Sequence, residues 1–76
     1  MSITVYTSST CPWCVKAKQY LNSKGIDYKE VNVSLDPQAA REMIEKSGQR
    51  GVPVLDINGS IVVGFDRPKI DELLEE

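Results

Sequence analysis

The 76-residue sequence contains no histidine and only two cysteines. A structural zinc site takes four nitrogen or sulfur ligands, so one copy of the chain cannot supply them and only a dimer could complete a site of four thiolates. Cys11 and Cys14 are also poor candidates for a structural disulfide, because a ring closed across two residues removes little entropy from the unfolded chain. We therefore expect no bound metal, and we look for another role for the pair.

The chain also lacks an excess of positive charge and a long apolar run. Its formal net charge is −2, whereas nucleic-acid surfaces favour basic patches. No apolar stretch approaches the ~18 residues of a membrane span, and the first residues lack the charged and apolar regions of a signal peptide. We expect a cytoplasmic monomer that engages neither nucleic acid nor a membrane.

Hydrophobic patterns predict seven elements along the chain. The predicted strands cover residues 3–7, 26–33, 54–57 and 60–63, and Asn58-Gly59 between the last two is a strong signal for a type I′ hairpin. The predicted helices begin at Pro12, after Asp36 and after Asp66, each with a proline in its first turn.

The first helix should run to Lys24 and stop at Gly25, with Cys14 pointing inward. In the second helix we predict a buried stripe of Ala40, Met43 and Ile44.

The order of these elements is β-α-β-α-β-β-α. One parallel βαβ crossover followed by an antiparallel hairpin predicts an α/β fold, in which three helices pack on a mixed four-stranded sheet. With so few residues, the chain should form one domain over 1–76.

The two cysteines fall where the first strand turns into the first helix. Unpaired N–H groups and the positive end of the helix dipole favour a thiolate at this position, so Cys11 should be reactive. A CxxC motif beside a βαβ pattern is typical of a thioredoxin-like redox site. Lys16 and Lys18, further along the helix, should form a solvated face whose positive charge can assist thiolate formation.

Three separated segments resemble those of the glutaredoxin family, which has the thioredoxin fold. Residues 10–14 (TCPWC) are similar to the family's TCPYC active site, residues 51–53 (GVP) to its TVP segment, and residues 64–66 (GFD) to the GG-x-D segment that opens its last helix. The segments agree in order and spacing, and the resemblance covers the whole chain. It implies a dithiol–disulfide oxidoreductase.

The resemblance assigns roles to the active-site residues. Cys11 is the nucleophile and Cys14 resolves the mixed disulfide that it forms. Pro12 stiffens the turn, and Trp13 lies exposed beside the thiol. Pro53 follows a cis peptide bond and sits against the cysteine pair.

The resemblance further implies glutathione as a co-substrate, with no bound cofactor. The backbone of Val52 would pair with the tripeptide, and Gly64, Phe65 and Asp66 would hold its γ-glutamyl end. Many family members have a basic residue three positions before the first cysteine, where this chain has Ser8.

Gln49 and Arg50 are the replacement donors that we expect for the missing charge, and Lys16 near the first turn of the helix is a third candidate.

A second possibility concerns the electron donor and the protein partner. Redoxins that serve ribonucleotide reductase resemble glutaredoxins but are reduced by thioredoxin reductase. Their Gly-Phe-Arg-Pro segment is similar to Gly64-Phe65 followed by Arg67-Pro68, and the uncharged Ser8 also favours this alternative. Disulfide-containing proteins are the expected substrates in either case, with ribonucleotide reductase among them. A metal-binding dimer and a module with an inert CxxC motif are the alternatives outside this class.

Overall fold

Four strands and three helices follow one another along residues 2–74, the part of the chain that the computed structural model describes. In chain order they are β1 (Ile3–Thr7), α1 (Pro12–Ser23), β2 (Lys29–Asn32), α2 (Pro37–Ser47), β3 (Val54–Ile57), β4 (Ser60–Val63) and α3 (Arg67–Leu74). The predicted order of elements is confirmed. The predicted domain of 1–76 also takes in residues 1, 75 and 76, which lie outside the described residues.

The four strands form one mixed sheet in the order β2-β1-β3-β4. β1 and β2 are parallel, and the β1–β3 and β3–β4 pairs are antiparallel. At the hairpin, Asn58 has φ 53° and Gly59 has φ 94°, the two positive values that a type I′ turn requires. The mixed sheet with three helices is the thioredoxin fold, as predicted.

Buried side chains lie on both faces of the sheet, because successive residues of a strand point to opposite sides. On one face the strands pack with α1 and α3 in a cluster made of Ile3, Val5, Leu21, Leu55, Ile57, Val62 and Ile70. On the other face Tyr6 and Val54 pack with Met43 of α2. Helices therefore cover both faces of the sheet and bury β1 between them. This fixes the position at which the loop after β1 begins.

The second strand is shorter than the sequence pattern predicts. It covers Lys29–Asn32 rather than residues 26–33. Gly25 has φ 68°, and the N–H of Ile26 donates to the carbonyl of Leu21 at 3.1 Å. This bond is part of a Schellman cap, so Ile26 completes α1 instead of starting the strand.

The predicted stripe of the second helix is also partly wrong. Ala39 and Met43 are the buried residues of α2, while Ala40 is only half-buried and Ile44 is exposed. Ala39 and Met43 are four positions apart and share one face of the helix, whereas Ile44 lies about 100° further round it. The apolar pattern alone misplaced the face that meets the sheet.

Candidate functional site

Cys11 lies at the N-terminus of α1, where the chain leaves the sheet. It is the N-cap residue, with extended backbone angles of φ −125° and ψ 101°. Its Sγ accepts the backbone N–H of Cys14 at 3.1 Å, and Pro12 occupies the first helical turn, where the missing N–H has no partner to lose. A donor aimed at the sulfur stabilises negative charge there, so this local geometry suits a thiolate.

The two cysteines are joined in a disulfide, with their Cα atoms 5.2 Å apart. Cys14 is 1% exposed, whereas Cys11 is only half-buried. Solvent and substrate therefore reach the first sulfur more easily than the second, which is the asymmetry predicted for an attacking and a resolving cysteine.

An apolar cleft of about 300 Å³ lies on one side of the disulfide. Its lining residues, which define it here, are Trp13, Val52, Pro53, Gly64 and Phe65. The predicted cis bond between Val52 and Pro53 is present, and the carbonyl of Pro53 accepts the N–H of Gly64 at 2.8 Å. This bond ties the second and third segments of the resemblance together beside Trp13.

Aromatic rings form the outer wall of the apolar cleft. The ring centroids of Trp13 and Phe65 are 6.4 Å apart, and those of Phe65 and Tyr20 are 5.7 Å apart in an edge-to-face arrangement. Trp13 is 56% exposed, as predicted, and the ammonium group of Lys16 lies 4.3 Å from the centroid of its ring. The cleft therefore offers an exposed ring that packs against Phe65, which in turn packs against Tyr20.

Asp66 follows the apolar cleft along the chain and caps α3. Its Oδ1 accepts the N–H of Lys69 at 3.3 Å, which confirms the predicted N-cap. Across residues 2–74, no hydrogen bond uses the backbone N–H of Phe65 or Asp66, or either backbone group of Val52. These polar groups remain available to a ligand.

Gln49 and Arg50 are not brought to either side of the disulfide. The amide of Gln49 folds back on its own loop, and its Nε2 donates to the carbonyl of Gly51 at 2.9 Å. Arg50 is exposed and absent from the lining of the apolar cleft. The structure gives neither residue the contacts expected of a donor that replaces the missing basic residue.

A second cleft, of about 450 Å³, lies on the other side of the disulfide. We call it the polar cleft, and its lining residues are Ser8, Ser9, Thr10, Cys11, Pro12, Cys14, Val15, Lys18, Glu30 and Asn32. Both cysteines line the polar cleft, and neither lines the apolar one. Trp13, which lies between the two cysteines in the sequence, lines the apolar cleft, so the motif contributes to two unlike surfaces.

An ion pair crosses the polar cleft from α1 to β2. The Nζ of Lys18 donates to Oε2 of Glu30 at 2.9 Å, and the buried Thr7 donates to the same oxygen at 3.0 Å. The hydrogen bond from Lys18 is the main cause that lowers the pKa of Glu30, and the Thr7 hydroxyl adds to it. Lys18 was predicted to lie on a solvated face, but its ammonium group is held by Glu30. Because its pKa is lowered, Glu30 is ionised at neutral pH.

Glu30 and the cleft that it lines were not predicted from the sequence. The position of Lys18 near the cysteines could be predicted, because Lys18 follows Cys14 by four residues and so shares its helix face. No local pattern marks Glu30, because its position depends on the parallel register that sets Glu30 opposite Val5. Over residues 2–74 no three histidine, cysteine or acidic side chains cluster as metal ligands would, and no helix is long and apolar enough to cross a membrane.

Comparison with known proteins places this site in a family. The family model described as Glutaredoxin matches residues 3–62. An uncharacterized glutaredoxin-like 8.6 kDa protein of the rubredoxin operon of Clostridium pasteurianum is 50% identical over 97% of this chain and 99% of its own length. Glutaredoxin 3 of Escherichia coli (strain K12) is 35% identical over 86% of this chain and 78% of its own length.

A solved structure is similar along nearly its whole length. The glutaredoxin-like protein NrdH-redoxin from Escherichia coli, described as having a thioredoxin-like activity profile, superposes with a TM-score of 0.86 and 32% identity. The match covers 96% of this chain and 95% of that one. A CxxC disulfide at a helix N-terminus, the thioredoxin fold and the matching family model lead to one conclusion: the chain belongs to the glutaredoxin family of thiol–disulfide oxidoreductases.

Proposed function

We propose that the protein reduces protein disulfides and glutathione mixed disulfides by a dithiol mechanism, with glutathione as its electron donor. The observation that carries the proposal is the apolar cleft beside the cysteine pair, which combines an exposed ring with unpaired backbone groups and leads to an aspartate. No other cofactor enters the proposal.

Cys11 begins the reaction as a thiolate. It attacks one sulfur of the substrate disulfide, the substrate S–S bond breaks, and the departing thiolate takes a proton from solvent. Cys14 then loses its proton and attacks Cys11, which releases the second substrate thiol and closes the Cys11–Cys14 disulfide. The substrate gains two electrons from the cysteine pair and two protons, of which one is released by Cys14 and the other comes from solvent.

Two molecules of glutathione restore the reduced pair. The first attacks Cys11, frees Cys14 as a thiol and leaves a glutathione mixed disulfide on Cys11. The second attacks the glutathione sulfur of that mixed disulfide, forms oxidised glutathione and frees Cys11. Each attack requires a thiolate and an in-line approach, so the tripeptide must be held beside the sulfur.

The unpaired groups around the apolar cleft suit the tripeptide backbone. The N–H and C=O of Val52 can pair with the cysteinyl residue of an extended peptide. The free N–H groups of Phe65 and Asp66 can hold the γ-glutamyl carboxylate, and the carboxylate of Asp66 can hold the ammonium group. Gly64 leaves its face open, since a Cβ atom there would meet nothing within 4 Å.

A second candidate function is supported by the NrdH-redoxin similarity. That protein has a thioredoxin-like activity profile, and this chain shares the uncharged Ser8 and the Gly64-Phe65 and Arg67-Pro68 pairs expected of such redoxins. In this alternative, thioredoxin reductase supplies the electrons and the apolar cleft docks a protein, with ribonucleotide reductase as a candidate substrate.

A paired coupled assay separates the two donors. Loss of NADPH is followed with a small mixed-disulfide substrate, in one cuvette with glutathione and glutathione reductase and in the other with thioredoxin reductase alone. We expect turnover only in the glutathione cuvette. Turnover only with thioredoxin reductase would replace the proposal by the alternative. In both cases we expect a monomer in the cytoplasm, where thiols are kept reduced.

A further inference from the structure

The polar cleft contains charged side chains, whereas the apolar cleft contains none. Among the described residues that line the two clefts, Lys18 and Glu30 are the ones that carry a formal charge. Both cysteines line the same cleft as this pair. The proposed role of the apolar cleft in binding glutathione gives Lys18 and Glu30 no task.

The pair is held in a fixed place relative to the cysteines. Lys18 is one helical turn beyond Cys14 on the same face of α1, a spacing that puts Cβ atoms about 5–6 Å apart. Its Nζ is bound by Glu30 at 2.9 Å, and Glu30 is bound in turn by Thr7, which is 1% exposed at the end of β1. Two elements of the sheet thus fix the position of the lysine head group.

The two charges act on a nearby thiolate with opposite signs. A cation lowers the free energy of a neighbouring thiolate and an anion raises it, and both effects grow when solvent is partly excluded. The side chains of Lys18 and Glu30 are 27% and 42% exposed. In the intact pair the two effects oppose each other, so removal of either charge leaves the other one uncompensated.

We propose that the Lys18–Glu30 ion pair sets the fraction of Cys11 that is thiolate at neutral pH. The inference rests on the thiol chemistry proposed above, and it makes both members of the pair positioning residues that act through the sulfur. The lysine favours the reactive form, and the glutamate restrains it.

Other charged groups lie on the elements around the cysteines but face elsewhere. Lys16 of α1 extends over the ring of Trp13, Arg50 is exposed before β3, and Asp66 at the start of α3 caps its own helix. Lys29 is exposed on β2. None of these side chains lines either cleft.

The test is a pH titration of the reduced protein, followed by the absorbance of the thiolate near ~240 nm. Lys18→Met should raise the pH at which Cys11 ionises by about half to one unit, the effect of one nearby charge at partial exposure. Glu30→Gln should lower it by about half a unit. The double variant should titrate between the two single variants.

Lys24→Met is the matched control. It removes the same charge from the C-cap of the same helix and also breaks an ion pair, here with Asp71 at 3.6 Å. Lys24 follows Cys11 by thirteen residues, so it lies about 20 Å further along the helix axis. We expect the titration of Cys11 in this variant to match that of the parent.

Opposite shifts distinguish an electrostatic role from a structural one. A merely structural pair would give shifts of the same sign in Lys18→Met and Glu30→Gln, because each variant breaks the same contact. Shifts of the same sign, or no shift in either variant, would overturn the inference. If Lys18→Met did not fold, the nearly isosteric Glu30→Gln would decide alone, and anything but a downward shift would count against it.

The titration does not depend on the electron donor. If the parent protein turned over only with thioredoxin reductase, the proposed function would fail while opposite shifts would still support the ion-pair role. If glutathione were the donor and neither variant shifted the titration, the ion-pair inference alone would fail.

Discussion

The two sides of the disulfide differ in what they present to a substrate. The apolar side consists of rings, a proline and unpaired backbone groups, and none of residues 2–74 adds a charged side chain to its lining. The polar side presents hydroxyls, an amide and the Lys18–Glu30 pair, together with Pro12, Val15 and the two cysteines. The two sides therefore have different proposed roles. The apolar side binds the substrate through its shape, and the charges of the polar side act electrostatically on the sulfurs.

The two sides also differ in how the chain builds them. The apolar side joins three segments that are far apart in sequence: the start of α1, the segment before β3 and the segment before α3. The polar side comes from one loop, the first turns of α1 and the neighbouring strand β2. The apolar side therefore depends on the complete fold, and we expect substitutions there to affect stability more strongly.

The largest effect on turnover is expected for the two cysteines. Cys11→Ser should abolish turnover with any donor, because the remaining thiol, Cys14, is 1% exposed and cannot reach the substrate disulfide. Cys14→Ser should accumulate a mixed disulfide on Cys11, since the resolving thiol is missing. The coupled assay measures the first result, and mass spectrometry of the unreduced protein measures the second. Full activity in Cys11→Ser would refute the nucleophile assignment.

The next prediction concerns the support of the apolar side. Phe65 packs against Trp13, Tyr20 and the buried cluster, so Phe65→Ala should lower the free energy of unfolding by about 2 kcal/mol. Trp13→Ala is the control, because this ring is 56% exposed and its loss should cost less than about 1 kcal/mol. Urea denaturation measures both. Equal losses in the free energy of unfolding would mean that Phe65 does not anchor the aromatic rings of the apolar cleft.

A smaller effect is expected for the charge next to the apolar side. Asp66→Asn keeps an oxygen that can cap α3 but loses the carboxylate proposed to bind the glutathione ammonium. It should reduce kcat/KM for glutathione by up to about fivefold, because an exposed ion pair contributes no more than about 1 kcal/mol. Glu72→Gln, an exposed change in the same helix, is the control. An unchanged kcat/KM in Asp66→Asn would remove this residue from the binding site.

The smallest effect should come from the polar side and should depend on pH. The folded-state pKa of Glu30 is lowered, first by Lys18, so its contribution to stability is present at neutral pH and is lost as the pH falls through that lowered value. Glu30→Gln should therefore destabilise the protein at pH 7 by less than about 1 kcal/mol, since the pair is partly exposed. Unfolding at pH 7 and pH 3 measures this, and a difference that persisted at pH 3 would exclude the ion pair as its source.

Local chemistry allowed much of the fold to be predicted. Asn58-Gly59 set the hairpin, and Asp36 with Pro37 set the start of α2, because turns and caps depend on a few neighbouring residues. The start of β2 was misplaced because Ile26 pairs with the helix before it. The buried face of α2 was misplaced because Ile44 is apolar, yet lies off the face that meets Tyr6 and the sheet.

The candidate site also has a part that could be predicted from the sequence and a part that could not. The residues of the apolar side could be proposed from motifs, although Gln49 turned out to bind its own loop. Glu30 could not be proposed in this way, because the sequence of a strand does not show which residue lies opposite it in a parallel pairing. The contact between Lys18 and Glu30 depends on the register of β1 with β2, which no motif of the sequence marks.

The most direct test of the division between the two sides is the position of bound glutathione. Cys14→Ser can be trapped as a mixed disulfide between glutathione and Cys11, and nuclear Overhauser effects between the tripeptide and the protein can then be measured. The account predicts contacts from the γ-glutamyl protons to Phe65 and Asp66 and from the cysteinyl protons to Val52. Contacts to Ser9 and Asn32 in place of these would place glutathione in the polar cleft and contradict it.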